Sequence, residues 1–259
     1  MEDEKMPFTG HLGELRRRII ISLVAVLIAF IAAFAYSEGI LKFIMFPLKY
    51  NLDFSVKNMY VQFIPQDKLQ NTKLVFLAPA EAFWMNLKVS FVAGLILSLP
   101  VIFLQLWKFI SPGLMQKEKK YLLPFIFFAT CLFLFGAAFC FFIVLPFAMG
   151  FLLTYKVGDF LMPMLSAGQY VDFCLKFIIA FGAVFELPIV IIFLTKMGIV
   201  TPKTLARNRK YAVLAAFVIA AILTPTPDAF NQTLMAFPIM LLYEIGIWIS
   251  PLFMKKERA

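Results

Sequence analysis

Residues 177–195 read FIIAFGAVFELPIVIIFLT, nineteen residues with a single charge, Glu186. At 1.5 Å per residue, a helix of that length reaches about 28 Å, close to the hydrocarbon thickness of a bilayer. Other uncharged or nearly uncharged runs lie at 19–36, 89–107, 121–155, 211–227 and 229–243. Hydrophobic residues make up 62% of the chain and charged residues 15%, and the mean hydropathy is +0.89. A soluble domain is nearer half apolar and a quarter charged. The chain therefore reads as an all-α polytopic membrane protein.

The runs, extended by their flanks, predict one integral membrane domain over 1–259. Six transmembrane helices are expected near 19–36, 79–107, 121–146, 170–195, 211–224 and 229–250, with a long outer loop at 38–73. The last two are short: Tyr211–Thr224 gives only about 21 Å of helix before the TPTPD turn. Either the bilayer thins there, or the pair is a re-entrant hairpin buried against the other helices. Six spans with a locally thinned bilayer is the preferred reading. Pro100, Pro124, Pro146, Pro188 and Pro238 kink or end helices, which gives a bundle a concave shape. Pro79 suits the first turn of the second helix. Pro47 and Asp228 read as turn residues, Asp228 as a cap for the last helix. The outer-loop stretch YNLDFSVKNMYVQF has mixed alternation that fits a short strand or an amphipathic helix.

Charge sets the orientation. Sixteen Lys and Arg fall in the N-terminus, the 105–120 and 196–210 connections and the C-terminus, against six in the opposite connections. The positive-inside rule puts both termini in the cytoplasm. The formal charge of +9 is thus a topology signal, and no nucleic-acid partner is expected. Ala33-Phe34-Ala35 resembles a signal-peptidase site, but the long, partly acidic MEDEK start and the further apolar runs predict an uncleaved first span.

Chemistry-bearing motifs are missing. His11 is the only histidine, so a His-rich metal site is excluded, and neither GxxxxGK[ST] nor GxGxxG occurs. No metal and no cofactor are expected. Cys131 and Cys140 would stand about 13 Å apart along one helix, too far to bridge, and with Cys174 they read as small buried hydrophobes. There is no nucleophile–base pair at membrane depth, so no catalytic residue is assigned and the protein is not expected to be an enzyme.

A few charges remain inside or beside the spans. Glu81 is expected in water or at the interface, with Lys88 about two turns deeper and snorkelling. Asp172 and Lys176 are spaced for a local ion pair. Glu244 reads as interfacial. Glu186 lies about 15 Å from the inner end of its span, where an ionisable group costs a few kcal/mol. It serves either as a structural hydrogen-bonding group near Pro188 or as a polar spot on the concave face.

Four stretches in order carry a family resemblance: FTGHLGELRRRII, LPVIFLQLWKFISPGLMQKEKKYLLPF, FGAVFELPIV and TPTPDAFNQTLMAFPIMLLYEIGIW. Together they resemble TatC, the membrane receptor of the twin-arginine protein translocase, over nearly the whole chain. The first outer loop, 50–73, looks longer than the family pattern. The resemblance implies a receptor in the bacterial cytoplasmic (inner) membrane that binds twin-arginine signal peptides and exports folded proteins. It implies signal-binding positions at Phe109 and Glu118, with Glu14 and Arg16 in the N-terminal part of that surface. Trp107 joins Phe109 as a face on which a guanidinium can stack, and Glu118 supplies a carboxylate partner. Outside the resemblance, Trp107 and Phe109 fit an interfacial aromatic belt, Glu14 fits a salt bridge to Arg17 or Arg18, and Lys117, Lys119 and Lys120 fit topology and headgroup contact. Gln232, with Thr224 and Thr226, forms a polar cluster where a single-span helix could hydrogen-bond. The implied partners are TatA- or TatB-type subunits, precursors with twin-arginine signals, the lipid bilayer and further copies of the chain. The competing reading is a proton-coupled secondary transporter of a small solute, using Glu186 as its ion site.

Overall fold

A computed structural model of the chain describes residues 8–55, 60–65, 74–110, 122–154, 165–223 and 229–253. In chain order the elements are α1 (Phe8–Ala35), α2 (Ser37–Ile44), α3 (Phe46–Lys49), β1 (Tyr50–Ser55), β2 (Tyr60–Pro65), α4 (Glu81–Ile110) and α5 (Leu122–Phe139). A π-helical turn, Cys140–Val144, leads into α6 (Leu145–Thr154). Then come α7 (Ala167–Phe185), α8 (Leu187–Lys196), α9 (Pro202–Arg207), α10 (Arg209–Leu223), α11 (Ala229–Ile249) and a 3-10 turn at Ser250–Phe253.

Among the described residues five stretches are long and apolar enough to cross a membrane: Leu12–Ala35, Glu81–Ile110, Leu123–Leu152, Ala167–Lys196 and Gln232–Phe253. The chain is a multi-pass helical membrane protein. At fifteen residues, α10 reaches only about 22 Å, so it is the helix that keeps the six-span expectation from being met by length alone.

Local chemistry explains several departures from the expected boundaries. Pro79 lies two residues before α4, not in its first turn, because the Glu81 carboxylate closes the preceding turn by accepting from the Leu77 and Ala78 amides. The apolar run at 170–195 is two helices, since Pro188 has no N–H to donate and the chain turns at Glu186. Backbone bonds persist through that turn, from Glu186 N–H to the Ala183 carbonyl and from Val190 N–H to the Glu186 carbonyl. The π turn answers Pro146 in the same way: Leu145 N–H reaches the Cys140 carbonyl, five residues back, just ahead of the proline. The segment read as an outer loop begins with α2 and α3 and then forms an antiparallel β1–β2 hairpin, with Tyr50 opposite Pro65 and Ser55 opposite Tyr60.

The chain forms two compact units, one of residues 1–42 with 82–131, the other of 43–81 with 132–259. In the first, α1 and α4 run antiparallel and touch at two levels. At one level Gly94 lets the helices approach backbone to backbone: a Cβ there would lie 2.6 Å from the Phe30 amide nitrogen. The Phe30 and Phe91 rings meet edge to face beside it. Small residues serve this purpose in membranes, where packing replaces the hydrophobic drive. At the other level Arg18 of α1 bonds Gln105 of α4.

In the second unit α5 and α7 interlock through reciprocal pairs. The Phe185 ring lies against Gly136, and the Phe133 ring against Gly182. Phe43 stacks on Phe141 at 4.5 Å between centroids, and Phe46 on Tyr50 at 4.7 Å, so the start of the hairpin rests on the π turn. Pro47, at the start of α3, is buried there. The Tyr170 hydroxyl donates to the Ile44 carbonyl at 2.8 Å. Farther along, α10 packs on α11 over the buried Ala216 and Ala220, and α8 meets α11 where Ile191 covers Gly246. Cys140 and Cys174 are buried, whereas Cys131 faces outward, a departure from the buried role expected of it.

Candidate functional site

The α1–α4 pair carries a polar cluster. Glu14 and Arg18 are one turn apart, and Arg18 Nη2 donates to Glu14 Oε1 at 2.9 Å. Arg18 Nη1 donates to Gln105 Oε1 at 3.3 Å. Of the two partners weighed for Glu14, the structure selects Arg18. Two atoms of the cluster stay unmatched: Glu14 Oε2 and Arg18 Nε are buried with no hydrogen-bond partner among the described residues. Such groups carry a desolvation cost of about 1–3 kcal/mol each, which an incoming polar ligand removes.

The other residues expected at this surface divide. Arg16 is exposed and lies on a different face of α1 from Glu14 and Arg18. Trp107 is 4% exposed, its ring 4.3 Å from that of Phe125 of α5, so it is buried in packing and does not offer the open stacking face expected of it. Phe109, two residues on, is half-buried on the other side of α4. Glu118, with Lys117, Lys119 and Lys120, lies outside the described residues. Gln105 belongs to no chemistry-bearing motif in the sequence. A buried amide in the run LQLWKF was the available signal, because a buried glutamine must find a partner.

The second unit holds the remaining polar positions. Glu186 is half-buried at the α7–α8 turn, with Oε1 buried and unpartnered among the described residues. Gln232 donates through Nε2 to the Phe217 carbonyl of α10 at 3.2 Å, and no further bond to its side chain is seen among the described residues. Thr224, Thr226 and Asp228 lie outside the described residues. Glu244, read as interfacial, is held by Arg209 through two bonds, Nη2–Oε2 at 2.8 Å and Nε–Oε1 at 2.7 Å. The Tyr243 hydroxyl donates to the Leu205 carbonyl at 2.9 Å. No cluster of three or more His, Cys, Asp or Glu suited to a metal ion occurs among the described residues.

A multi-pass helical chain with isolated polar clusters on apolar helices is an integral membrane component whose clusters can meet polar ligands or partner helices. Comparison with known proteins makes this specific. The family description "Sec-independent protein translocase protein (TatC)" matches residues 10–238. The TatC protein of Carboxydothermus hydrogenoformans is 40% identical over 257 residues, covering 99% of this chain and 98% of its own. That of Aquifex aeolicus is 39% identical over 254 residues, covering 98% of each. A crystal structure of the twin-arginine translocase receptor TatC superposes with a TM-score of 0.78 at 39% identity, covering 94% of this chain and 99% of that one. The chain belongs to the TatC family and is a component of the Sec-independent, twin-arginine protein translocase. The small-solute transporter reading finds no support in these likenesses.

Proposed function

We propose that the chain binds twin-arginine signal peptides on a surface that includes Glu14, Phe109 and Glu118, with Arg16 beside it and Trp107 beneath, and so selects folded precursor proteins for export. The observation that carries this reading is the unmatched Glu14 Oε2: a carboxylate with one oxygen taken by Arg18 and the other buried and vacant can accept from a guanidinium. The work is recognition and passage, with no bond made or broken by the chain, hence no catalytic residue and no cofactor. The chain sits in a bacterial cytoplasmic membrane as a single integral domain with both termini inside. It functions in a complex with further copies of itself and with TatA- or TatB-type single-span subunits. The side chain of Gln232, with Thr224 and Thr226, is the partner-helix contact.

The orientation is tested directly. Single cysteines at Ser111 and Lys203, in a cysteine-free background, are expected to react only with a cytoplasmic reagent, and one at Asn58 only from outside. Photocrosslinking from Phe109 to a twin-arginine precursor in inverted membranes completes the test. Outside labelling at Ser111, or a precursor that crosslinks to Asn58 in place of Phe109, would reject the proposed surface.

Glu186 is proposed as a polar spot at membrane depth. Glu186→Gln is expected to keep transport, because glutamine retains hydrogen-bonding capacity, whereas Glu186→Leu impairs it by drying the site. Signal binding survives both changes. Equal loss of transport in the two variants, at matched protein level, would indicate a titrating role instead, since an amide cannot carry a proton.

A further inference from the structure

The stretch Leu74–Ala80, LVFLAPA, has no charged residue, and both of its ends are pinned. Val75 forms a parallel bridge beside Ser166: its N–H donates to the Leu165 carbonyl at 3.0 Å, and the Ala167 N–H donates to the Val75 carbonyl at 3.1 Å. At the other end one carboxylate gathers four donors. Glu81 Oε2 accepts from Leu77 N–H at 2.5 Å and Ala78 N–H at 3.3 Å. Its Oε1 accepts from Ser166 Oγ at 2.6 Å and Gly168 N–H at 2.6 Å. The Gly168 position requires glycine for this, since a Cβ there would stand 2.5 Å from Glu81 Oε1.

Between these anchors the side chains are largely uncovered. Phe76 and Leu77 are 61% and 71% exposed, and Ala78, Pro79 and Ala80 are exposed beside them. A loop fixed by six hydrogen bonds to hold bare apolar residues outward is built for an apolar surrounding. Its position supplies that surrounding. Glu81 opens α4, and the exposed Phe83 and Trp84 follow it directly in the chain, so the loop stands at the end of a span and runs on into that span's bare apolar residues. The single charge at its base does not oppose insertion, because its four donors and the start of α7 satisfy it. We propose that residues 76–80 form a preorganised wedge inserted among the lipids at that interface, with Glu81 as its positioning residue.

The test uses the full chain in phosphatidylcholine–phosphatidylglycerol vesicles. Leu77→Cys carries an environment-sensitive fluorophore in a Cys131→Ser background, Cys140 and Cys174 being buried. Lipids brominated high on the acyl chain are expected to quench the probe and aqueous iodide to leave it bright. A probe at Lys203→Cys, on exposed α9, shows the reverse selectivity. Glu81→Gln turns an NH2 group toward the backbone donors, and the Leu77 probe then shifts toward iodide quenching. Iodide quenching with wild-type Glu81 overturns the wedge. Protection from both quenchers overturns it too, and assigns the loop to contact between protein copies. Unchanged bromolipid quenching in the folded Glu81→Gln variant removes Glu81 from the positioning role.

Discussion

Glu118→Gln is expected to lower the affinity for a twin-arginine signal peptide about ten- to a hundredfold, with the protein level in the membrane unchanged. A hydrogen bond to a charged group contributes roughly 1.5–3 kcal/mol, and each 1.4 kcal/mol is about tenfold in a dissociation constant. The glutamine keeps the size and one acceptor but loses the charge and the second equivalent oxygen, so a bidentate guanidinium contact becomes single. Glu14→Gln is expected to act in the same direction with a smaller effect, because Glu14 already neutralises Arg18 and only its second oxygen is vacant. A signal with lysines in place of the two arginines should bind wild type less well and lose less on Glu118→Gln, since an ammonium makes no planar paired contact. Precursor crosslinking and peptide titration at matched receptor levels read all three. Equal affinity of wild type and Glu118→Gln would remove Glu118 from the site.

Gly94→Leu should prevent stable pairing of α1 with α4, and even Gly94→Ala should destabilise the protein. The first atom beyond hydrogen at this position would sit 2.6 Å from the Phe30 amide nitrogen and 2.7 Å from its Cα. These are backbone atoms, so no rotamer change relieves the clash and the helices must separate. Overpacking of this kind costs about 1–3 kcal/mol for small intrusions and more for large ones. Separation also strains the Arg18–Gln105 bond at the other level of the pair. Gly13→Ala is the control: it lies on the same α1, has nothing within 4 Å, and gains helix propensity of roughly 0.5–1 kcal/mol. Thermal unfolding in detergent and folded yield distinguish the cases. A Gly94→Ala protein as stable as wild type would mean that the two backbones do not touch there.

Spans were legible because charge-free runs of helix length have one main explanation in a chain this apolar. The break at Glu186 was signalled by Pro188, and the shortness of α10 by the distance from Tyr211 to the TPTPD turn. What escaped the sequence depends on partners far apart along it. Glu81 was expected in water or at the interface, yet two of its four donors come from residues more than eighty positions away. Gln105 takes its role from Arg18, 87 positions away in the chain. The reciprocal Gly136–Phe185 and Gly182–Phe133 contacts are invisible in a chain with 32 phenylalanines, where no single ring stands out. The β1–β2 hairpin was only one of two options because its alternation is mixed and the stretch carries no Asn-Gly or Asp-Gly turn signal.

The Gln232–Phe217 bond bears on how this chain enters its membrane. A helix of fifteen residues spans less hydrocarbon than a bilayer presents, so α10 alone would drag polar headgroups or its own polar ends into the apolar layer. Once α11 is beside it, Gln232 occupies a carbonyl of α10 and Arg209 at its base is matched by Glu244. Neither helix has its polar groups matched without the other. Insertion of α10 is therefore expected to wait for synthesis of α11, with the pair integrated as one hairpin. A ribosome stalled between them would leave a nascent chain whose last committed span is α7–α8.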